Sequence, residues 1–132
     1  MKISTRGRYA IRMLQDMADH EHEGYVTLKD IAERQEISKK YLEIIIKKLL
    51  EAGMVQSLSG KGGGYCLTRK PEEYPVGEIL EQMEDTLAPV ACLKKGAPAC
   101  DREDKCKTLP LWAAFDAVVH DFFYSRTLAD LL

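Results

Sequence analysis

The apolar positions of the first half of the chain fall into three helical runs. Between Thr5 and His20, TRGRYAIRMLQDMADH spaces Tyr9, Ile11, Met13, Leu14, Met17 and Ala18 at mostly helical intervals, which predicts an amphipathic helix with Thr5 as its N-cap. EHEGY breaks that pattern. A short second helix follows in TLKDIAERQ, where Thr27 and Asp30 have capping-box spacing and Leu28, Ile31 and Ala32 are apolar. EIS makes a turn. Ser38 then caps a third helix, KKYLEIIIKKLLEAG, which stops at Gly53, the residue type best able to take the left-handed conformation at a helix end.

The period then changes. MVQSL and GYCLT read as two short strands around SGKGG, a β-hairpin with a glycine-rich tip. RKPEEYP marks a boundary, after which VGEILEQMED sets Val76, Ile79, Leu80 and Met83 on one face of a fourth helix. Thr108 is expected to cap LPLWAAFDAVVHDFFYS, with Pro110 in its first turn, and Thr127 with Asp130 opens a last short helix, TLADLL. The expected fold is mostly α with a small β-hairpin. Three helices and a two-stranded wing give the layout of a winged helix-turn-helix, in which the later helix of the turn enters a DNA major groove. The expected division is a DNA-binding region over 1–70 and a sensor and dimerisation region over 71–132.

The third helix has two distinct faces. With Leu42 at 0° and about 100° per residue, Ile45, Ile46, Leu49 and Leu50 lie within about 80° of it, while Lys40, Glu43, Ile44 and Lys47 gather on the other side. Lys40 and Lys47 suit phosphates or guanine, and Glu43 suits a cytosine amino group. Ile44 is out of place on a solvated face unless it meets a thymine methyl or is covered by another helix. The glycines do not make a nucleotide loop. Gly60, Gly62, Gly63 and Gly64 lie between two strands, and Lys61 is not followed by Ser or Thr, so NTP binding is disfavoured. As a wing tip they allow close approach to the phosphates or minor groove, with Lys61 and Ser59 as contacts.

Composition narrows the class. A chain of 132 residues with 45% hydrophobic content builds one modest core. It has no run of about 18 apolar residues and no signal-peptide core at its start, so a cytoplasmic protein without membrane association is expected. Its net charge of -2 hides an asymmetry: residues 1–70 hold thirteen Lys and Arg against nine Asp and Glu, and residues 71–132 hold six against twelve. The basic half is the one with the reading helix.

Chemistry concentrates in ACLKKGAPACDREDKCK, where Cys92, Cys100 and Cys106 are spaced C-x7-C-x5-C. A structural disulfide is disfavoured by a reducing compartment. Zinc prefers closer cysteine pairs, and His20, His22 and His120 are remote in sequence. Metal-free thiol sensing stands as an alternative, since Lys94, Lys95 and Lys105 favour thiolates while Asp101, Glu103 and Asp104 oppose them. An iron-sulfur cluster fits these residues best, because thiolates hold such clusters and a loop can wrap a cofactor. Cys66, alternating with Tyr65 and Leu67 along a strand, reads as a small hydrophobe. With no histidine beside a cysteine, the chain is not expected to be an enzyme.

MKISTRGRYA, TLKDIAERQEIS with KKYLE, GMVQSLSGKGGGYCL, VGEILEQME, the three cysteines and the Leu-Trp pair beyond them together resemble the IscR-type regulators, the Rrf-two family. The resemblance covers nearly the whole chain. It implies a homodimeric winged-helix regulator, more often a repressor, that binds a double-stranded operator, its C-terminal helix crossing that of its partner. Glu43 matches the family's site-discriminating glutamate, and Ser38, Lys40 and Tyr41 match its DNA-facing neighbours. Lys2, Arg6, Arg8, Thr27, Ile44, Lys47, Ser59, Lys61 and Gly62 complete the expected DNA-contacting set. Cys92, Cys100 and Cys106 match the cluster ligands, of a [2Fe-2S] or [4Fe-4S] centre. Three positions depart from the pattern. Ser59 replaces an arginine, Arg8 stands where some nitric-oxide sensors carry an aspartate ligand, and Leu109 stands where a histidine ligand follows the last cysteine. That leaves a small molecule, a carboxylate such as Asp104, or a partner's side chain as the fourth ligand. The implied role is control of cluster assembly; a cysteine-metabolism or thiol-redox regulator of the same fold without a cluster is the alternative.

Overall fold

A computed structural model describes residues 1–132. Helices α1 (Thr5–Asp19), α2 (Leu28–Gln35) and α3 (Lys39–Glu51) precede strands β1 (Val55–Leu58) and β2 (Gly64–Leu67), and α4 (Val76–Met83) and α5 (Leu109–Tyr124) follow. The strands pair antiparallel in the register Val55 with Leu67 and Leu58 with Gly64. Val26, just ahead of α2, adds a bridge to Tyr65 through two backbone hydrogen bonds of 2.9 and 2.7 Å. The mostly helical, winged layout expected from the periodicities is the one observed.

Local chemistry explains the boundaries. The Thr27 hydroxyl accepts from the Asp30 amide and the Ser38 hydroxyl from the Tyr41 amide, so α2 and α3 both begin on a side-chain cap. Between them Glu36 takes a left-handed φ of 55°, which makes the turn tight enough to cross the two helices. Gly53, at φ 70°, ends α3. Two expected caps differ. α1 is capped by Ser4 rather than Thr5, because the Ser4 hydroxyl reaches the Gly7 amide and also donates to Glu84 at 2.7 Å, a tertiary bond to the end of α4. Thr108 precedes α5 but does not cap it; its hydroxyl faces the Cys106 sulfur at 3.4 Å instead.

One core joins the elements. Met13 and Leu14 of α1, Ile31 of α2, Leu42, Ile45 and Leu49 of α3, Leu67 of β2 and Ile79 and Met83 of α4 are buried in a single cluster, which Leu128 closes from the C-terminal turn. It runs without interruption across residue 70. Tyr74 is fully buried, and its hydroxyl donates to the Met54 carbonyl at 2.6 Å while accepting from the Thr68 and Arg69 amides at 3.0 and 3.2 Å. By contrast, no residue of α5 is buried.

Asp16 is the one buried charge, at 1% exposure. It accepts two hydrogen bonds from Arg34, at 3.0 and 2.7 Å, and one from Gln35 at 3.1 Å, which fastens α2 to α1. Burial, the largest influence, pushes its carboxyl up. The hydrogen bonds from Arg34 and Gln35 and the positive charges nearby outweigh it, so the group is held below the usual carboxylate range. Its contribution to stability is therefore complete above the unfolded value of about 3.9 and is lost as pH falls from there through the folded value.

Removing the two partners should not be equivalent. Arg34→Ala strands a carboxylate 1% exposed and is expected to cost about 3 kcal/mol. Asp16→Ala leaves a guanidinium 32% exposed that can turn to water, and is expected to cost about 2 kcal/mol. Urea unfolding at pH 7 measures both; equal losses would contradict the asymmetry.

Candidate nucleic-acid interface and cysteine loop

The reading face of α3 is laid out as its periodicity requires. Leu42, Ile45, Ile46 and Leu49 are buried, Lys40, Glu43, Ile44 and Lys47 are exposed, and Ile44 stands 51% open to solvent. Glu43 and Lys47 turn toward the wing. Together with Thr27 and the glycines Gly60, Gly63 and Gly64 they line a groove of about 590 Å³ between α3 and the hairpin. Lys40, Glu43, Ile44 and Lys47 also line a hollow of about 510 Å³ on the outer side of the helix, with Lys48.

Lys29 and Lys39 line the groove as well and are absent from the expected set. Their signal was positional: each follows shortly after a helix cap, where a side chain points outward past the first turn. Ser59, Lys61 and Gly62 are exposed at the wing tip. Lys2 precedes α1, Arg6 and Arg8 lie in its first turn, and none of the three lines the groove; the Arg8 guanidinium donates to Thr5 at 3.1 Å. Two expected contacts also carry structural duties. The Ser38 hydroxyl is the α3 cap, and Tyr41 packs edge-on against Tyr9 with ring centres 5.5 Å apart, tying α3 to α1.

The wing tip needs its glycines for backbone reasons. Gly60, Gly62 and Gly64 have φ of 89°, 76° and 142°, and a Cβ on Gly64 would run into the Val26 carbonyl. Gly63 is closed to larger residues by the Leu58 carbonyl.

In the second half, Cys92 lies in a short helical turn at Ala91–Leu93 and Cys106 follows another at Glu103–Lys105. Cys92, Cys100 and Cys106 line one cavity of about 320 Å³, whose wall also includes Glu103 and Leu109, the first residue of α5. The loop therefore brings the three predicted ligands to one space. Three thiols opening on one cavity, whose remaining wall apart from Glu103 is apolar, suit thiolate-bound iron, although no three metal-binding side chains stand close enough together to hold a single metal ion. No histidine lines the cavity, and the carboxylate that does is Glu103, not Asp104. The side-chain hydroxyl and the amide of Thr108 hold the Cys106 thiol below its usual range. Cys66 is half-buried on the hairpin, its sulfur accepting from the Gln56 side-chain Nε2 at 3.2 Å.

Capped helix pair, exposed basic reading face and glycine-tipped wing define a winged-helix transcriptional regulator, a non-enzymatic class. The Rrf2 family, described as an iron-dependent transcriptional regulator, matches residues 3–132, and the chain belongs to it. The chain is 43% identical over 132 residues to Protein rrf2 of Nitratidesulfovibrio vulgaris, covering all of this chain and 87% of that protein. It is 38% identical over 132 residues to the HTH-type transcriptional regulator IscR of Aliivibrio salmonicida, covering 100% of this chain and 77% of that one. Two solved structures superpose closely. CymR (YrzC), the global cysteine regulator of B. subtilis, gives a TM-score of 0.83 at 34% identity over 99% of this chain and 95% of that one. T. potens IscR gives 0.79 at 37% identity over 99% and 85%.

Gly64→Ala should unpin the hairpin from Val26 and cost about 2 kcal/mol, whereas Gly62→Ala, with open space around it, should cost about 1 kcal/mol. Hydrogen exchange at the Val26 and Tyr65 amides is the readout, and faster exchange in both variants alike would contradict the difference.

Proposed function

We propose that the chain is a cytoplasmic homodimeric repressor that binds a double-stranded operator through residues 1–70 and reports iron-sulfur status through residues 71–132. The observation that carries the sensing half is the single cavity lined by Cys92, Cys100 and Cys106, with Leu109 of α5 in its wall. A bound cluster, [2Fe-2S] or [4Fe-4S], would supply an oxidant-labile centre whose gain and loss follow iron and cluster supply, which suits control of cluster assembly. Cys92, Cys100 and Cys106 would hold it.

The chain's own residues do the rest. On DNA, Lys40 and Lys47 supply positive charge to phosphates, Glu43 discriminates a base edge, and Ile44 offers apolar contact to a thymine methyl. Lys61 and the main chain of Ser59 and Gly62 approach the backbone from the wing, with Thr27, Ser38 and Tyr41 along the groove. Lys2, Arg6 and Arg8 add positive charge at the start of α1. Support for the dimer comes from α5, where Leu111, Phe115, Val118 and Phe122, at 60%, 44%, 65% and 52% exposure, form one stripe at helical spacing. An apolar stripe of that length on a helix with no buried residue fits a second copy related by a two-fold axis. Two such copies present two reading helices to a pseudo-palindromic site. Because the cysteine loop runs directly into α5, holding or releasing the three thiols would bias the relative setting of those helices.

A second reading is a cysteine-metabolism or thiol-redox regulator without a cluster; one structure that superposes on this chain is that of a global cysteine regulator. It is favoured by the Cys106 thiol, which the Thr108 hydroxyl and amide hold toward the thiolate, and by the exposure of Cys92 and Cys100.

Anaerobic purification with visible absorption, iron and sulfide analysis separates the two. The cluster reading expects a coloured protein with iron and sulfide, lost in Cys92→Ser, Cys100→Ser or Cys106→Ser; a colourless protein after reconstitution, with all thiols titrating free, overturns it. For DNA, Lys47→Ala should weaken binding to all sequences and lower the salt slope by about 1, whereas Glu43→Ala should chiefly relax base preference. Binding titrations across operator variants at several salt concentrations test this, and unchanged specificity in Glu43→Ala removes that residue from the readers.

A further inference from the structure

The position expected to hold a fourth ligand is filled by Leu109, a residue with no donor atom, yet the cavity does contain a fourth donor. We infer that Glu103 supplies the fourth ligand to the cluster held by Cys92, Cys100 and Cys106. This rests on the cluster reading above.

The Glu103 amide donates to the Cys100 carbonyl at 3.0 Å, and the Cys106 amide to the Glu103 carbonyl at 3.4 Å. Both are bonds across three residues, and Glu103–Lys105 forms a 3-10 turn. In such turns side chains three apart eclipse each other. Cys100, Glu103 and Cys106 come at three-residue steps, and their lining of one cavity with Cys92 places them on one side of the segment. Asp101 and Asp104 each follow a cavity-lining residue by one step, a rotation of about 120° that turns them off that side. Neither lines the cavity.

Chemistry supports the same residue. A carboxylate oxygen is an established iron donor, and here it is free for that use: Glu103 takes part in none of the molecule's ion pairs. An oxygen ligand is harder than the sulfur or nitrogen ligands that iron-sulfur centres ordinarily take, and so is the more readily exchanged. The iron that Glu103 binds would be the exchangeable one.

The test uses the full chain, reconstituted anaerobically with ferrous iron and sulfide, in wild type, Glu103→Gln, Glu103→Cys and Asp104→Asn, each checked for fold by circular dichroism. The readouts are the visible and electron-paramagnetic spectra and the rate of iron loss to a chelator. The wild type is expected to assemble a cluster, Glu103→Gln to lose iron at least about tenfold faster, and Asp104→Asn to match the wild type. Glu103→Cys should retain iron with bands shifted toward an all-thiolate pattern, which distinguishes lost ligation from a damaged loop. An intact wild-type cluster whose spectra and iron retention are unchanged in both Glu103 variants overturns the assignment alone, as does a shift confined to Asp104→Asn. A wild type that binds neither iron nor sulfide overturns the cluster reading and the assignment with it.

Discussion

One phenol braces the junction between the two halves of this chain, on top of the core they share. Tyr74 lies in the segment between the wing and α4, and its hydroxyl takes hydrogen bonds to three main-chain groups from β1's entry and β2's exit. Its own carbonyl accepts from Leu128, so the C-terminal turn is tied to the same point. Arg69 stacks over the ring at 5.2 Å and pairs with Glu78 of α4 at 2.9 and 3.0 Å. Removing the hydroxyl would leave the Met54 carbonyl of a buried hydrogen bond without its partner, at a cost of about 1–3 kcal/mol, and would free the part-buried Thr68 and Arg69 amides as well. The pose of the wing against the helices, and the route by which the second half joins the first, both pass through this contact.

That arrangement explains how a protein with a net charge of only -2 can carry a basic reading surface. Lys29 of α2 and Lys39 and Lys47 of α3 share one groove, while the acidic excess of residues 71–132 is carried outside the cysteine loop, by Glu72 and Glu73 and by α4 and α5. Long-range attraction of an anionic partner depends on this local field rather than on the total.

The helices and hairpin were legible because their patterns have no competitor. Leu42, Ile45, Ile46 and Leu49 can share a face only in a helix, and four glycines in five residues between β-prone runs can only be a turn. What the sequence hid were effects of phase and tertiary contact. Ser4 and Thr5 are equally good caps locally, and the choice falls to Ser4 through Glu84, eighty residues away. Tyr74 sits in a proline-bounded stretch that reads as a linker, and nothing local announces its burial. Asp104 and Glu103 differ by one residue, a distinction set by the 3-10 turn and invisible to any apolar periodicity. The lysines at 29 and 39 were missed because helix starts were read for their caps, not for what projects beyond them.

The anchoring of the cysteine loop is unequal. At one end Glu84 is bonded to Ser4 at 2.7 and 2.8 Å, and α4 behind it is packed into the core. At the other end α5 starts with no buried residue, and its firm attachments lie at its far end, where Tyr124 rests on Gly77 and donates to Glu81 at 2.6 Å. A pull on this tether is therefore resisted by a wedge of core side chains on one side and by little on the other. A displacement at Leu109 would thus be met first at Tyr124, and the apolar stripe lying between them, with whatever covers it, would shift before the buried core does.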